Sequence, residues 1–271
     1  MSKTHNFSKA SLKLSTGSLS YYSAGRGHDV VYLHPASGMR ISQPLERLAN
    51  RFRVWAPIVP GFDGTPSHDG VASIQGLADL LAEFVRAGPG RASDIVGSSL
   101  GGWLGAWFAI KHPDLVEHLV LAAPAGFRAA DAEPLSFDPE VMRKQLYAYA
   151  ERIPQDEKTA AIRKANGEAV ALYGLNSSHD SELQKRIGDI DCQTLILHGT
   201  LDVRVPTSGV QMLKAGTPHS QLVYVYDAAH SLELDQPERV GGLIEDFLMR
   251  GEAFIVNQKA SEIVGDVNGS P

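Results

Sequence analysis

Short apolar runs without polar alternation constrain this chain most. Val30-Val31-Tyr32-Leu33 is one such run, and similar runs recur at 53–56, 93–96, 118–122, 194–197 and 222–226. A strand with one wet face alternates apolar and polar residues, whereas a strand covered on both faces does not. Helical patterns stand between several of these runs. Ile74, Leu77, Leu81, Phe84 and Val85 fall on one helical stripe, with Ser73 before them as a candidate N-cap. A second helix is expected over about 100–112, ending before Pro113, and a third over 237–250 with Pro237 in its first turn. Strands alternating with helices predict an α/β fold: a mostly parallel sheet with helices on both faces. Residues 9–14 and 18–23 around Thr16-Gly17 read as a hairpin that adds an antiparallel edge, which brings the expected sheet to eight strands.

One stretch breaks the alternation. Between Pro124 and Gly188 there are many helix formers and no convincing buried strand. Residues 138–152 and 156–172 look helical, punctuated by Pro134, Pro139 and Pro154. The expected organisation is a core made of 1–125 and 189–250, a helical insertion at 126–188 over one end of the sheet, and a mobile tail at 251–271.

Composition excludes several classes. Hydrophobic residues make up 43% of the 271, enough to build one sizeable core, so a disordered chain is excluded. Lys and Arg number 25 against 31 Asp and Glu, a net charge of −6, and no basic footprint for nucleic acid appears. No run of 18 apolar residues exists to span a bilayer, and residues 1–20 lack the apolar stretch of a secretory signal. The single cysteine, Cys192, cannot form an intrachain disulfide or a cysteine metal cluster. A cytoplasmic protein with no membrane and no nucleic-acid partner is expected; monomer and homodimer both stay open.

The most informative segment is Ile95-Val96-Gly97-Ser98-Ser99-Leu100-Gly101-Gly102-Trp103. It contains G-x-S-x-G centred on Ser99, after a buried strand and at the start of a helix. A nucleophile on so sharp a turn needs small residues two positions to either side, and Gly97 and Gly101 provide them. Ser98 fails that test, because Val96 and Leu100 occupy the same offsets. The first N–H groups of the helix would face a developing oxyanion, and Leu100 is the expected donor. The bland alternative is a Gly/Ser turn before a helix. A dinucleotide or phosphate loop does not fit, since neither G-x-G-x-x-G nor Gly-Lys-Ser/Thr is present.

With these segments in view, the chain resembles the α/β-hydrolase-fold enzymes from about residue 9 to 250. Four further segments carry the resemblance. Residues 31–38 (VYLHPASG) resemble the family's oxyanion loop, and 57–64 (PIVPGFDG) resemble the turn after its fourth strand. Residues 197–206 (LHGTLDVRVP) resemble its acid loop, and 229–238 (AHSLELDQPE) its histidine segment. The order Ser99, Asp202, His230 is that of the family, and a weak hydroxyl needs both a base and an orienting carboxylate. The resemblance implies Ser99 as nucleophile, His230 as base, Asp202 as acid, and Ala36 beside Leu100 as the second oxyanion donor. Each has a bland alternative: Asp202 as a helix cap, and His230 as one of ten ordinary histidines. Asp227 and Glu233 are expected to be solvated or structural, and His198 to orient its own loop. Pro35 stands where the family commonly has Gly, and it has no N–H of its own.

The implied reaction is acyl transfer to water, which requires no metal and no organic cofactor. A small acyl substrate, an ester or lactone, is the first expectation. C–C cleavage of a β-diketone or ring-fission product is the second, and a non-catalytic ligand sensor the third. Epoxide hydrolases and dehalogenases place a carboxylate where Ser99 stands, and no amphipathic lid of an interfacial lipase is visible. His34, Ser37, Phe127 and Tyr147 are the candidate substrate contacts, and His34 is read equally as a residue that, like His198, orients its own turn by hydrogen bonds. Phe137, Met142, Tyr149 and Tyr173 are further insertion residues, and for each of these, as for Phe127 and Tyr147, plain packing weighs at least as much as pocket lining. Trp103 is read as core packing under the elbow.

Overall fold

The two strands at the start pair as the Thr16-Gly17 turn dictates. β1 (Ser8–Leu14) runs antiparallel to β2 (Gly17–Gly25), with Leu14 opposite Gly17. The computed structural model describes residues 7–132, 138–153 and 158–254. Within them the chain continues through β3 (Asp29–Leu33), α1 (Gln43–Leu48), β4 (Arg53–Pro57) and α2 (Ile74–Ala87). β5 (Ser93–Ser98), α3 (Leu100–Lys111) and β6 (Val116–Ala122) follow. Next come α4 (Pro139–Leu146), α5 (Ala160–Leu172) and α6 (Ser181–Arg186), then β7 (Gln193–Gly199) and α7 (Thr207–Gly216). β8 (Ser220–Val225), α8 (Leu232–Asp235) and α9 (Pro237–Arg250) complete it.

One eight-stranded sheet forms in the order β1-β2-β4-β3-β5-β6-β7-β8. β2 meets β4 antiparallel, and every pair from β4-β3 to β7-β8 is parallel. The central strands β3 and β5 are buried at every residue, polar ends included, which requires cover on both faces. α3 is buried along nearly its whole length, and its sequence is apolar all round rather than striped. α2 starts where expected: Ser73 Oγ accepts the Gly76 N–H at 3.1 Å.

The sequence expectations fail at three places. Residues 222–226 read as a strand covered on both faces, yet β8 is the last strand of the sheet and leaves Tyr224 and Tyr226 exposed. The helix expected over 138–152 begins at its Asp138 cap but ends at Leu146. Tyr147 is extended there because the next N–H, that of Ala148, is claimed by the Asp235 carboxylate at 3.0 Å. The helix expected from 156 begins at Ala160, where Thr159 Oγ1 caps the Ile162 N–H at 3.2 Å; Asp156 and Phe137 lie outside the described residues. α1 and α6 are short helices that no pattern announced. The tail beyond Phe254 also lies outside the described residues. No helix among those described is long and apolar enough to cross a membrane.

Candidate active site

The parallel strands of the sheet end at one edge, and the loops there carry most of the chain's chemistry. Ser99 sits between the last residue of β5 and the first of α3 with φ +52° and ψ −109°, a region that a residue with a side chain rarely occupies. The surrounding backbone holds it there. The Ser99 N–H donates to Ala122 O at 2.9 Å, and Ser99 O accepts from Ala125 N at 3.0 Å and Trp103 N at 3.1 Å. The flanking glycines are a steric requirement: a Cβ on Gly97 would collide with the Gly101 carbonyl, and one on Gly101 with the Leu33 carbonyl.

Two loops from elsewhere in the sequence meet this turn. His230 follows β8, and its Nε2 lies 2.8 Å from Ser99 Oγ. Asp202 follows β7, and its Oδ2 lies 3.0 Å from His230 Nδ1. The other carboxylate oxygen accepts the N–H groups of Arg204 at 2.8 Å and Val205 at 3.1 Å. Asp202 therefore braces its own loop and faces the imidazole at the same time, but it does not cap α7, whose N-cap is Pro206 with no side-chain cap bond. Burial alone would push its carboxyl up. The His230 charge and hydrogen bond, with the Val205 and Arg204 N–H groups, outweigh burial and hold it below the ordinary carboxylate range. The loops can approach because Gly199 has no side chain to strike the Ala228 and Ala229 carbonyls.

The turn at 35–38 is closed by the Gly38 N–H on Pro35 O at 2.9 Å, with Gly38 at φ +89°. Pro35 costs the turn nothing, since the group in use is its carbonyl. Among the described residues neither the Ala36 nor the Leu100 N–H is taken by a protein acceptor. Leu100 opens α3, where helix geometry leaves the first N–H groups free.

Of the candidate substrate contacts, His34 takes its other expected role, bracing its own turn, and Phe127 is buried. His34 is fully buried: its Nδ1 lies 2.8 Å from Pro35 O, and its Nε2 accepts the Val59 N–H at 3.0 Å. Both ring nitrogens are spent on backbone, and burial lowers the ring's pKa, so a neutral imidazole braces the turn. Phe127 is 1% exposed and packs in the main core beside Gly209. Ser37 stays exposed on its turn, and Tyr147 is half-buried beside the His230 loop. Tyr173 is buried, gives its hydroxyl to Pro60 O at 2.9 Å, and has a pKa pushed up to about 12 by that burial. It packs rather than lines a pocket. Trp103 is core, as expected, with Nε1 on Asp180 at 2.8 Å.

Several polar residues that sequence reasoning missed or underrated hold the site together. Asn166 on α5 is 3% exposed. It donates to Ser37 O at 3.0 Å and accepts the Asp63 N–H at 2.8 Å, while Asp63 takes the Met39 N–H at 2.6 Å. One amide thus ties α5 to the turn at 35–38 and to the turn after β4. Lys158 adds a contact from the same side, donating to Met39 O at 2.8 Å. Asp235 accepts from Ala229 N at 2.8 Å and Ala148 N at 3.0 Å, and Ser231 N donates to Leu146 O at 2.8 Å. These bonds fasten the His230 loop to α4. Glu233 was expected to be solvated or structural, and it is structural. It is buried, and both its oxygens accept from the Tyr32 hydroxyl at 3.0 and 3.1 Å. Burial raises its pKa, against the opposing hydroxyls of Ser98, Tyr32 and Ser42. Asp227 is exposed. His198 orients its own loop weakly, with Nε2 3.4 Å from Thr207 Oγ1.

Comparison with known proteins agrees with this geometry. The model of the alpha/beta hydrolase family matches residues 25–242. The chain is 28% identical over 248 residues to the pimeloyl-[acyl-carrier protein] methyl ester esterase of Vibrio vulnificus, covering 81% of this chain and 94% of that protein. It is 29% identical over 259 residues to the 2-hydroxy-6-oxo-2,4-heptadienoate hydrolase of Pseudomonas putida, covering 84% and 91%. Among solved structures, a serine hydrolase of Cycloclasticus zankles superposes with a TM-score of 0.75 at 18% identity, covering 93% of this chain and all of that one. A meta-cleavage product hydrolase of Pseudomonas fluorescens does so with a TM-score of 0.75 at 21% identity, covering 89% and 97%. With four fifths of its length matched by the family model and its sheet, elbow and loops arranged as described, the chain belongs to the alpha/beta hydrolase family.

Proposed function

We propose that this protein hydrolyses a small carboxylic ester or lactone through an acyl-enzyme on Ser99. One observation carries the reading: the unbroken chain from Ser99 Oγ through the His230 imidazole to Asp202, at 2.8 and 3.0 Å. A carboxylate only accepts, so the proton of His230 sits on Nδ1 and the Nε2 lone pair faces the serine hydroxyl. His230 takes the Ser99 proton as Oγ bonds the acyl carbon. The carbonyl oxygen becomes an oxyanion at the N–H groups of Leu100 and Ala36, each donor in such sites being worth roughly 3–4 kcal/mol of barrier. The protonated imidazole then passes its proton to the departing alkoxide. Water repeats the sequence, giving one proton to His230 and its hydroxide to the acyl carbon, and Ser99 regains its proton. Asp202 fixes the tautomer and offsets the imidazolium charge.

Helices α4 and α5 support a cap over the site, formed by the insertion at 126–188, with Tyr147 on the cap and Ser37 on the 35–38 turn as candidate contacts to substrate. The single cysteine fits a cytoplasmic setting. C–C cleavage is the second reading, favoured by the resemblance to the heptadienoate hydrolase. The test is turnover of p-nitrophenyl esters, lactones and a vinylogous diketone by the wild type beside Ser99→Ala. Ester or lactone turnover that vanishes in the variant, with none on the diketone, is expected. Diketone turnover without any on esters and lactones would overturn the ester reading in favour of the second.

A further inference from the structure

The opposite edge of the sheet carries a second constellation, remote from Ser99. β3, β5 and β6 are neighbours, and each brings one polar residue to its beginning. His28 precedes β3, Asp94 is the second residue of β5, and Glu117 the second of β6. The register between β5 and β6 slips here: Ser93 faces Val116 while Ile95 faces Leu119. Glu117 and His118 are therefore both set against the single residue Asp94. In an even ladder consecutive side chains point to opposite faces, and a bulge of this kind re-aims them. His118 Nδ1 reaches Asp94 Oδ1 at 2.7 Å. On the other side, His28 Nε2 lies 3.3 Å from Asp94 Oδ2 and 3.4 Å from Glu117 Oε2.

We propose that His28, Asp94 and Glu117 form a binding site for a divalent transition-metal ion of the zinc class. Their three donor atoms lie within 4.8 Å of one another. Bonds of 2.0–2.1 Å to a tetrahedral ion place neighbouring donors about 3.3–3.4 Å apart, and two of the three edges already have that length. The second observation is independent of the cluster. Asp94 is 1% exposed, and its Oδ2 accepts no hydrogen bond, even from the nearby imidazole. A buried carboxylate oxygen without a hydrogen-bond donor needs a positive partner, and this one lies 3.3 Å from His28 Nε2. One imidazole with two carboxylates suits zinc or its neighbours; magnesium and calcium favour oxygen alone. His118 supplies the outer support common around metal ligands, holding the second Asp94 oxygen while its ring meets Phe247 edge to face. His28 and Glu117 are partly open to solvent, which leaves an entry path and room for water as a fourth ligand.

Asp94 and Ser99 are five residues apart along β5, roughly 16 Å. The ion would clamp the beginnings of three strands and take no part in ester chemistry, so the inference stands whatever the substrate is. The competing arrangement is a protonated His28 paired with both carboxylates. Untagged protein stripped with a chelator is titrated with Zn2+ by calorimetry and melted with and without it, and Co2+ is added to read its visible absorption. One Zn2+ per chain, a higher melting temperature and the intense absorption of tetrahedral cobalt are expected. His28→Ala and Glu117→Gln, two surface changes on different strands, should each weaken Zn2+ binding at least ten-fold. Hydrolysis of a p-nitrophenyl ester should be the same with and without metal. No binding at micromolar Zn2+, or binding equal in both variants and the wild type, would overturn the proposal.

Discussion

Asp202 Oδ2 and His230 Nδ1 face each other across 3.0 Å, while the second Asp202 oxygen is held by two backbone N–H groups of its own loop. The loop bonds and the imidazole bond use different atoms, so they can be separated. Asp202→Asn keeps a carbonyl oxygen for Arg204 and Val205 but turns an N–H toward the ring, favouring the wrong tautomer. Turnover should fall by roughly 10³–10⁴-fold, with circular dichroism and melting temperature close to wild type. A loss below ten-fold would place the orienting acid elsewhere.

The Asn166 amide bridges α5 to Ser37 O and the Asp63 N–H. Removing it leaves a buried N–H and a carbonyl without partners, each costing about 1–3 kcal/mol. It also loosens the turn that presents Ala36. Asn166→Ala should lower kcat by about ten-fold with KM little changed, because the oxyanion contact matters in the transition state alone. A change in melting temperature with kcat intact would make Asn166 a fold residue only. Asn166→Asp restores the acceptor but not the donor to Ser37 O, and should fail to rescue kcat.

Glu233 gives the pH dependence. Burial raises its folded-state pKa above the ordinary value, so the folded chain holds this proton more tightly than the unfolded chain. Stability from this group is full below the ordinary carboxylate range and is lost as pH rises toward the raised value. Glu233→Gln keeps the shape and removes the titration. Denaturant unfolding from about pH 4 to pH 8 should show the variant gaining on the wild type as pH rises. A difference constant across that range would contradict the burial argument.

Much of this architecture is legible in the sequence, for a physical reason. Val30–Leu33 and the G-x-S-x-G turn are local patterns, set by burial and backbone crowding within a few residues. The pairing of Ser99 with His230 was reachable because each follows a strand whose end faces the same edge. What escaped is long-range and polar. Asn166 meets Ser37 across 129 positions and Tyr32 meets Glu233 across 201, and no local pattern announces either. For His34 the sequence left two readings open, a brace of its own turn and a substrate contact. Its two nitrogens are consumed by Pro35 O and the Val59 N–H, which only three-dimensional packing reveals. β8 carries an apolar run like the central strands, and its place at the sheet edge cannot be read from that run.

The central claim is that Ser99 is an activated nucleophile. The most direct measurement is fluorophosphonate labelling of the intact protein followed by peptide mass spectrometry. One adduct per chain on the peptide bearing Ser99 is expected, with labelling strongly slowed in His230→Ala. An adduct on another residue with Ser99 untouched, or no adduct under conditions that label a reference serine esterase, would contradict the account.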